Sequence, residues 1–182
     1  MKKTQKVKHE AIDLIKSLLI AVIIALLIRQ FVVEIFFVEG KSMHPTLSHS
    51  QRLVVNKLTY YFDEPERSDI VVFEYESDKD FIKRIVGLPG EKVKIERGSV
   101  YINKQPLNEQ YIRKTGKADY GPEKVPENHY FVLGDNRSNS VDSRSSRVGF
   151  VREEEIKGKA FFIFWPLENA GFIDKGEKGS YY

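Results

Sequence analysis

Apolar and polar positions change character once along this chain, near residue 35. Before that point Leu18 to Ile28 is an unbroken run of eleven apolar residues, set within a mainly apolar stretch from Ile12 to Val33. The run is apolar all round, whereas a helix packed on a core needs only one apolar stripe. At ~1.5 Å rise about 20 helical residues cross a ~30 Å bilayer core, a length reached here if Lys16 and Arg29 snorkel toward the two faces. A cleavable leader would continue into small residues, but Arg29, Gln30, Phe31, Val32, Val33 and Glu34 follow. The pattern predicts an uncleaved transmembrane anchor over 12–33, with a buried core helix as the alternative.

Beyond the anchor the period shortens. Arg52–Lys57, Asp69–Phe73, Phe81–Val86, Lys92–Ile95, Val100–Ile102, Tyr130–Leu133 and Ala160–Trp165 are short runs rich in β-branched and aromatic residues. Gly and Pro punctuate them at Pro65, Pro89-Gly90, Gly98, Pro106, Gly121-Pro122 and Pro126. No long helical period appears after residue 40, and no internal repeat. The expected fold is mainly β, an antiparallel domain of coiled sheets preceded by one transmembrane helix. Residues 103–128, polar and rich in Lys, Glu, Gly and Pro, read as a surface insert.

Composition narrows the chemistry. The 182 residues are 41% hydrophobic, enough for one modest core, and there is no cysteine. Disulfides, thiolate zinc and a cysteine nucleophile are therefore excluded. The net charge of +3 is already reached within residues 1–16, where Lys2, Lys3, Lys6, Lys8 and Lys16 face only Glu10 and Asp13. The rest of the chain is neutral, which speaks against nucleic acid as a partner. Lysines before an apolar span put the N-terminus in the cytoplasm. The expected organisation is a cytoplasmic basic tail over 1–11, the anchor over 12–33, and an extracytoplasmic domain over 34–182.

Three segments carry candidate chemistry. Gly40-Lys41-Ser42 lacks the glycine five residues upstream that a P-loop needs, since Ile35 stands there, and His44 replaces the second glycine of a Gly-x-Ser-x-Gly elbow. A serine in a turn before Pro45 remains. In Phe81–Gly90, Lys83 shares its period-2 face with Phe81 and Ile85, so an inward face would desolvate the amine and lower its pKa toward that of a useful base. The competing reading is an edge-strand lysine that snorkels to solvent. Gly134–Arg144 is a dense polar loop. As an EF-hand from Asp135 it would have Ser140 at the glycine position and Ser146 at the bidentate glutamate position, so calcium does not fit; a solvated Asx-rich turn is the alternative.

Together these segments resemble bacterial type I signal peptidases, membrane-bound serine proteases that remove signal peptides. The resemblance rests on the anchor, Ser42-Met43-x-Pro45-Thr46, Arg52-Leu53-Val54-Val55-Asn56-Lys57, Asp69-Ile70-Val71-Val72-Phe73, Lys83-Arg84 with Gly87-Leu88-Pro89-Gly90, and Gly134-Asp135-Asn136-Arg137 with Ser140-x-Asp142-Ser143-Arg144. The single anchor and short insert are similar to the compact Gram-positive branch. The resemblance implies Ser42 as nucleophile, Lys83 as general base, and Ser140 as a hydrogen-bond partner of the lysine amine. It implies that Asp142 and Arg144 brace the site, with Asp135 and Arg84 in support. Gly40 stands where relatives with larger insertions carry an oxyanion-stabilising serine, so the oxyanion hole is expected around Gly40 and the Ser42 N–H. Val38, Met43, Leu47 and Ile82 would wall shallow pockets for the small side chains of an Ala-x-Ala-like site. No cofactor or metal is implied.

The implied partners are preprotein signal peptides, the lipid bilayer and the secretion channel. Ser42 lies nine residues past Val33, at most about 30 Å away when fully extended, so cleavage is expected at the bilayer surface. The apolar Ile35–Val38 stretch is expected to dip into the interface or line the peptide groove. Two rivals stand beside this reading: a Ser-His-Asp hydrolase using His49 or His129 with Asp135, and a tethered β-domain that binds exported peptides without cutting them.

Overall fold

The computed structural model describes residues 2–76, 79–112, 116 and 118–174, with backbone alone for 2–11. The side chains of the expected basic tail, and positions 113–115 and 117 of the expected insert, lie outside the described residues. Helix α1 spans Lys2–Phe31. Every described side chain on it is exposed, including Leu18–Ile28, so it is not a core helix.

The expected span over 12–33 is met only in its helical part. Among the described residues no helix is long and apolar enough to cross a membrane. Eleven uninterrupted apolar residues cover about 16 Å at ~1.5 Å rise, roughly half of a ~30 Å core. The C-terminal end also differs, because Val33 already belongs to β1 (Val33–Phe37). That β-branched and aromatic run pairs antiparallel with β2 (Arg52–Asn56), Val33 opposite Asn56 and Phe37 opposite Arg52.

Then follow a short helix α2 (Thr59–Phe62), β3 (Ile70–Glu76), β4 (Lys79–Gly87), β5 (Lys92–Glu96), β6 (Ser99–Ile102), β7 (Gln105–Pro106), β8 (Tyr120–Lys124), β9 (His129–Leu133), β10 (Val151–Arg152), β11 (Ile156–Trp165) and β12 (Gly171–Phe172). The larger sheet runs β1-β2-β11-β3-β4-β9-β10, with β12 on β11; the smaller runs β7-β6-β5-β8. Every pairing is antiparallel. The mainly β antiparallel expectation holds. The insert over 103–128 is in part sheet, because it contains β7 and β8, and Pro106 and Pro122 sit on edge strands that need no donor from them.

Alternation builds the cores. In β2, Leu53 and Val55 point inward and join Val38, Met43, Leu47, Ile70, Val72, Ala160 and Ile163 beneath the Ser42 turn. A second cluster, including Val93, Val100, Ile102, Phe131 and Leu133, joins the two sheets. Each such aliphatic side chain removed from water contributes about 1.5–3 kcal/mol. The β3–β4 and β4–β9 ladders clamp β4 on both sides, which makes it an interior strand.

Candidate active site

Ser42 sits at the top of a turn held down by its apolar neighbours. Val38 and Met43 are buried on either side of it, and Leu47 closes the turn by donating its N–H to Met43 O at 2.9 Å. Val38 exchanges backbone bonds with Gln51 and Ser50 at 2.8 and 3.0 Å. Between them Gly40 adopts φ +87°, a left-handed conformation disfavoured for residues with a side chain. The half-buried serine is thus fixed from below by core packing, and its hydroxyl is left for chemistry.

Lys83 is 3% exposed, and its Nζ lies 3.1 Å from Ser42 Oγ and 3.0 Å from the Ile82 carbonyl to which it donates. The Phe81 ring, one period earlier on the same strand face, lies 4.7 Å from Nζ. Because β4 is interior, the edge-strand snorkelling alternative fails. Burial lowers the amine pKa from its ordinary 10.5 to about 8, while the carboxylates of Asp142 and Asp135 partly oppose the shift. An amine at about 8 is neutral in a sizeable fraction of molecules near neutral pH, as a general base must be.

Two carboxylate–guanidinium pairs brace this geometry. Arg84 and Asp135, both fully buried, form a fork of two bonds at 2.9 and 2.8 Å. Arg84 also donates to Ser68 O at 3.0 Å, and Thr46 Oγ1 donates to Asp135 Oδ2 at 2.5 Å, tying the serine turn to the pair. Asp142 and Arg144 form a second fork with both bonds at 2.8 Å, and Asp142 accepts the Gly134 N–H at 3.1 Å. The polar loop then reaches the nucleophile directly: Asn136 N–H donates to Ser42 O at 2.9 Å, and its Nδ2 to Lys41 O at 3.0 Å. Gly134 lies so close beneath that a Cβ there would stand 2.3 Å from Ser140 Oγ and 2.6 Å from Ser42 O. The solvated-turn alternative therefore fails for this loop.

The Ser42–Lys83 contact opens into a cleft of about 880 Å³ lined by Phe36, Val38, Met43, Phe81, Ile82 and Val141 among others, with both residues in its wall. Such a surface suits an extended peptide with small or apolar side chains. It is lined from the strand edge of β1 as well as from β4.

Most expected site residues converge here, with three differences. Ser140 Oγ is buried and has no hydrogen-bond partner among the described residues, so the expected Ser140–Lys83 bond is not made; only the missing side chain of Gly134 leaves room for that hydroxyl, since a Cβ there would stand 2.3 Å from it. Leu47 is fully buried in the core beneath the turn and lines no cleft, because its position four residues after Met43 turns it inward. The Gly40 N–H is already engaged, donating to His49 Nδ1 at 3.1 Å. The Ser42 N–H has no partner among the described residues.

The histidine-based rival finds no geometry. His49 faces Gly40, His129 Nδ1 contacts the Glu127 carbonyl, and Asp135 is saturated by Arg84 and Thr46. Phe36 lines the cleft as one arm of the Ile35–Val38 expectation had it, whereas sequence reasoning missed Phe81, Asn136 and Thr46 as parts of the site. Phe81 was within reach, since it shares the face of Lys83. The others join through contacts across 38 to 95 positions that no local pattern announces.

The family model described as "Signal peptidase, peptidase S26" matches residues 11–165. The chain is 42% identical to a probable signal peptidase I-2 of Synechocystis sp. over 179 residues, covering 94% of this chain and 81% of the relative. It is 40% identical to signal peptidase I P of Bacillus subtilis subsp. natto over 177 residues, covering 91% and 95%. A crystal structure of a signal peptidase I from Enterococcus faecalis V583 matches 53% of this chain and 97% of its own at 34% identity, with a TM-score of 0.46. With the match running from the end of the basic tail through β11 and taking in Ser42, Lys83 and the polar loop, the chain belongs to the signal peptidase family of serine peptidases, peptidase S26.

Proposed function

We propose that this chain is a membrane-anchored serine endopeptidase that removes signal peptides from exported preproteins after small residues, at the outer face of the cytoplasmic membrane. The observation that carries the reading is the buried Lys83 amine 3.1 Å from Ser42 Oγ. In this reading neutral Lys83 Nζ takes the Ser42 hydroxyl proton as Oγ attacks the scissile carbonyl, then gives it to the leaving amine. Water, deprotonated by the same lysine, attacks the acyl-serine and releases the cleaved signal peptide, restoring Ser42. In this reading the Ser42 N–H, which has no partner among the described residues, serves the oxyanion together with a second donor other than Gly40. Arg84, Asp135, Asp142 and Arg144 hold the frame. Val38, Met43 and Ile82 limit side-chain size in the cleft, and the substrate binds extended along the neighbouring strands.

The test is incubation of detergent-solubilised protein with a labelled preprotein. The wild type should cut on the C-terminal side of a small residue, and Ser42→Ala should fall to background with nearly unchanged thermal stability, because a half-buried hydroxyl adds little to folding. Binding without cutting by the wild type, or full activity in Ser42→Ala, would defeat the reading and favour the tethered binding domain.

The anchor belongs to the same proposal. Exposed Leu18–Ile28 supplies the apolar section, and the stems of Lys16 and Arg29 extend it on either side. Protease added outside spheroplasts should digest residues beyond about 40 and spare a small N-terminal fragment. A protected C-terminal domain would reverse the orientation.

A further inference from the structure

Part of the insert crosses to the back of the catalytic frame. Leu107 is held in the core between the sheets, its N–H donating to Val100 O at 2.9 Å. Two residues on, the Glu109 carboxylate receives both terminal nitrogens of buried Arg137, one at 3.0 Å, and the Tyr111 hydroxyl donates to it at 2.7 Å. Arg137 in turn donates through Nε to Gly134 O at 3.0 Å, inside the polar loop. The Tyr111 ring lies against the guanidinium of Arg84, 3.9 Å from its centroid to Cζ. Burial, reinforced by the Glu109 carboxylate, pushes the Tyr111 hydroxyl well above its ordinary pKa, so it remains a donor at every working pH.

Charge explains why the insert is needed here. Arg84, Arg137 and Arg144 bring three buried or nearly buried cations, whereas the loop itself supplies only Asp135 and Asp142. Glu109 is the third anion, and Tyr111 covers the face of Arg84 that the Asp135 fork leaves open. Arg84 adjoins Lys83 in β4, and Asp135 adjoins Asn136, which holds the Ser42 carbonyl.

We propose that Tyr111 is a positioning residue for the dyad, its ring holding Arg84 in register with Asp135 and so fixing Lys83 and the Ser42 turn from behind. The inference rests on the peptidase reading above. It is absent from the cleft lining, so the expected signature is a loss in kcat and not in KM.

The experiment compares Tyr111→Leu and Tyr111→Phe in the full chain, reading kcat and KM on a labelled preprotein and the Lys83 titration by NMR of isotope-labelled lysine. Tyr111→Leu should lower kcat by roughly tenfold to a hundredfold, with KM within about twofold, because small displacements of reacting groups are costly. Its lysine midpoint should move up from about 8 toward the ordinary 10.5 as packing around the amine loosens. Tyr111→Phe, which keeps the ring, should recover most of the kcat. A wild-type kcat and lysine midpoint in Tyr111→Leu, with only a lower melting temperature, would reduce Tyr111 to a structural staple and overturn the proposal; so would equal damage in the two variants. If Tyr111→Leu does not fold, Glu109→Asp keeps the charges paired, draws Tyr111 and Arg137 back by one methylene, and is read in the same way. Should the wild type cleave no preprotein, the peptidase reading fails, and the lysine midpoints alone decide the placement of Tyr111.

Discussion

Lys83→Arg should give a folded, positively charged and inactive protein. Arginine preserves charge and approximate length, but its pKa above ~12 leaves no neutral form to accept the Ser42 proton. If the lysine were instead a fixed cation stabilising an anion, the same variant would keep substantial activity, so the substitution separates the two roles. In the wild type, kcat/KM should fall by about tenfold per pH unit on the acidic side of about 8, where the amine is charged. That limb should survive His49→Ala and His129→Ala, and its loss in either would move the base away from Lys83.

The same burial that prepares the base strains the fold. Folded Lys83 titrates near 8 and unfolded lysine near 10.5, so below pH 8 the unfolded state holds the proton more strongly and stability is diminished in full. The penalty shrinks as pH rises from 8 to 10.5. Lys83→Met should therefore be inactive yet more stable at pH 7, by about 3 kcal/mol at ~1.36 kcal/mol per pKa unit, with the gain fading toward pH 10.5. Paired denaturant titrations at pH 7 and 10 measure it. An equal gain at both values would show that the amine is not desolvated in the folded protein.

Breaking the Arg84–Asp135 pair should produce the largest stability loss. Both side chains are fully buried, so Asp135→Ala removes the carboxylate that Arg84 forks and the acceptor of Thr46. The expected cost is about 3–5 kcal/mol, with activity lost beyond what unfolding explains because the Ser42 turn is released. Asp142→Ala should cost less, since Arg144 is 12% exposed and can turn toward water. Denaturant midpoints for the two variants decide the order. A cost for Asp135→Ala below that of Asp142→Ala would contradict the burial argument.

Local chemistry was legible wherever neighbours in sequence are also neighbours in space. The strands over 52–56, 70–76, 79–87 and 129–133 are visible because β-branched runs alternate and Gly or Pro ends them. Lys83 was legible for the same reason, since period 2 puts it beside Phe81. Ser42 was legible from its turn and from the family resemblance of its motif. The sequence alone therefore determined an N-terminal helix carrying an apolar run over 18–28 and a β-domain, while the pairing of Ser42 with Lys83 came from the family resemblance.

Other features were decided only when distant segments met. Strand β1 overlaps the expected anchor only at Val33, and Ile35–Phe37 beyond it is equally apolar as an interfacial stretch and as a strand; pairing with β2 settled it. Leu47 reads as a pocket residue until the turn closes and faces it into the core. The availability of a backbone donor cannot be read from residue type at all, and it took the His49 contact to remove Gly40 and leave Ser42. The pairing of Glu109 with Arg137 and of Tyr111 with Arg84 spans 27 or 28 positions, through an insert whose composition looks like solvent-facing loop. Composition reports which side chains can leave water, whereas the partners that make burial of a charge tolerable are chosen by tertiary structure, because a buried charge is stable only opposite its counter-charge.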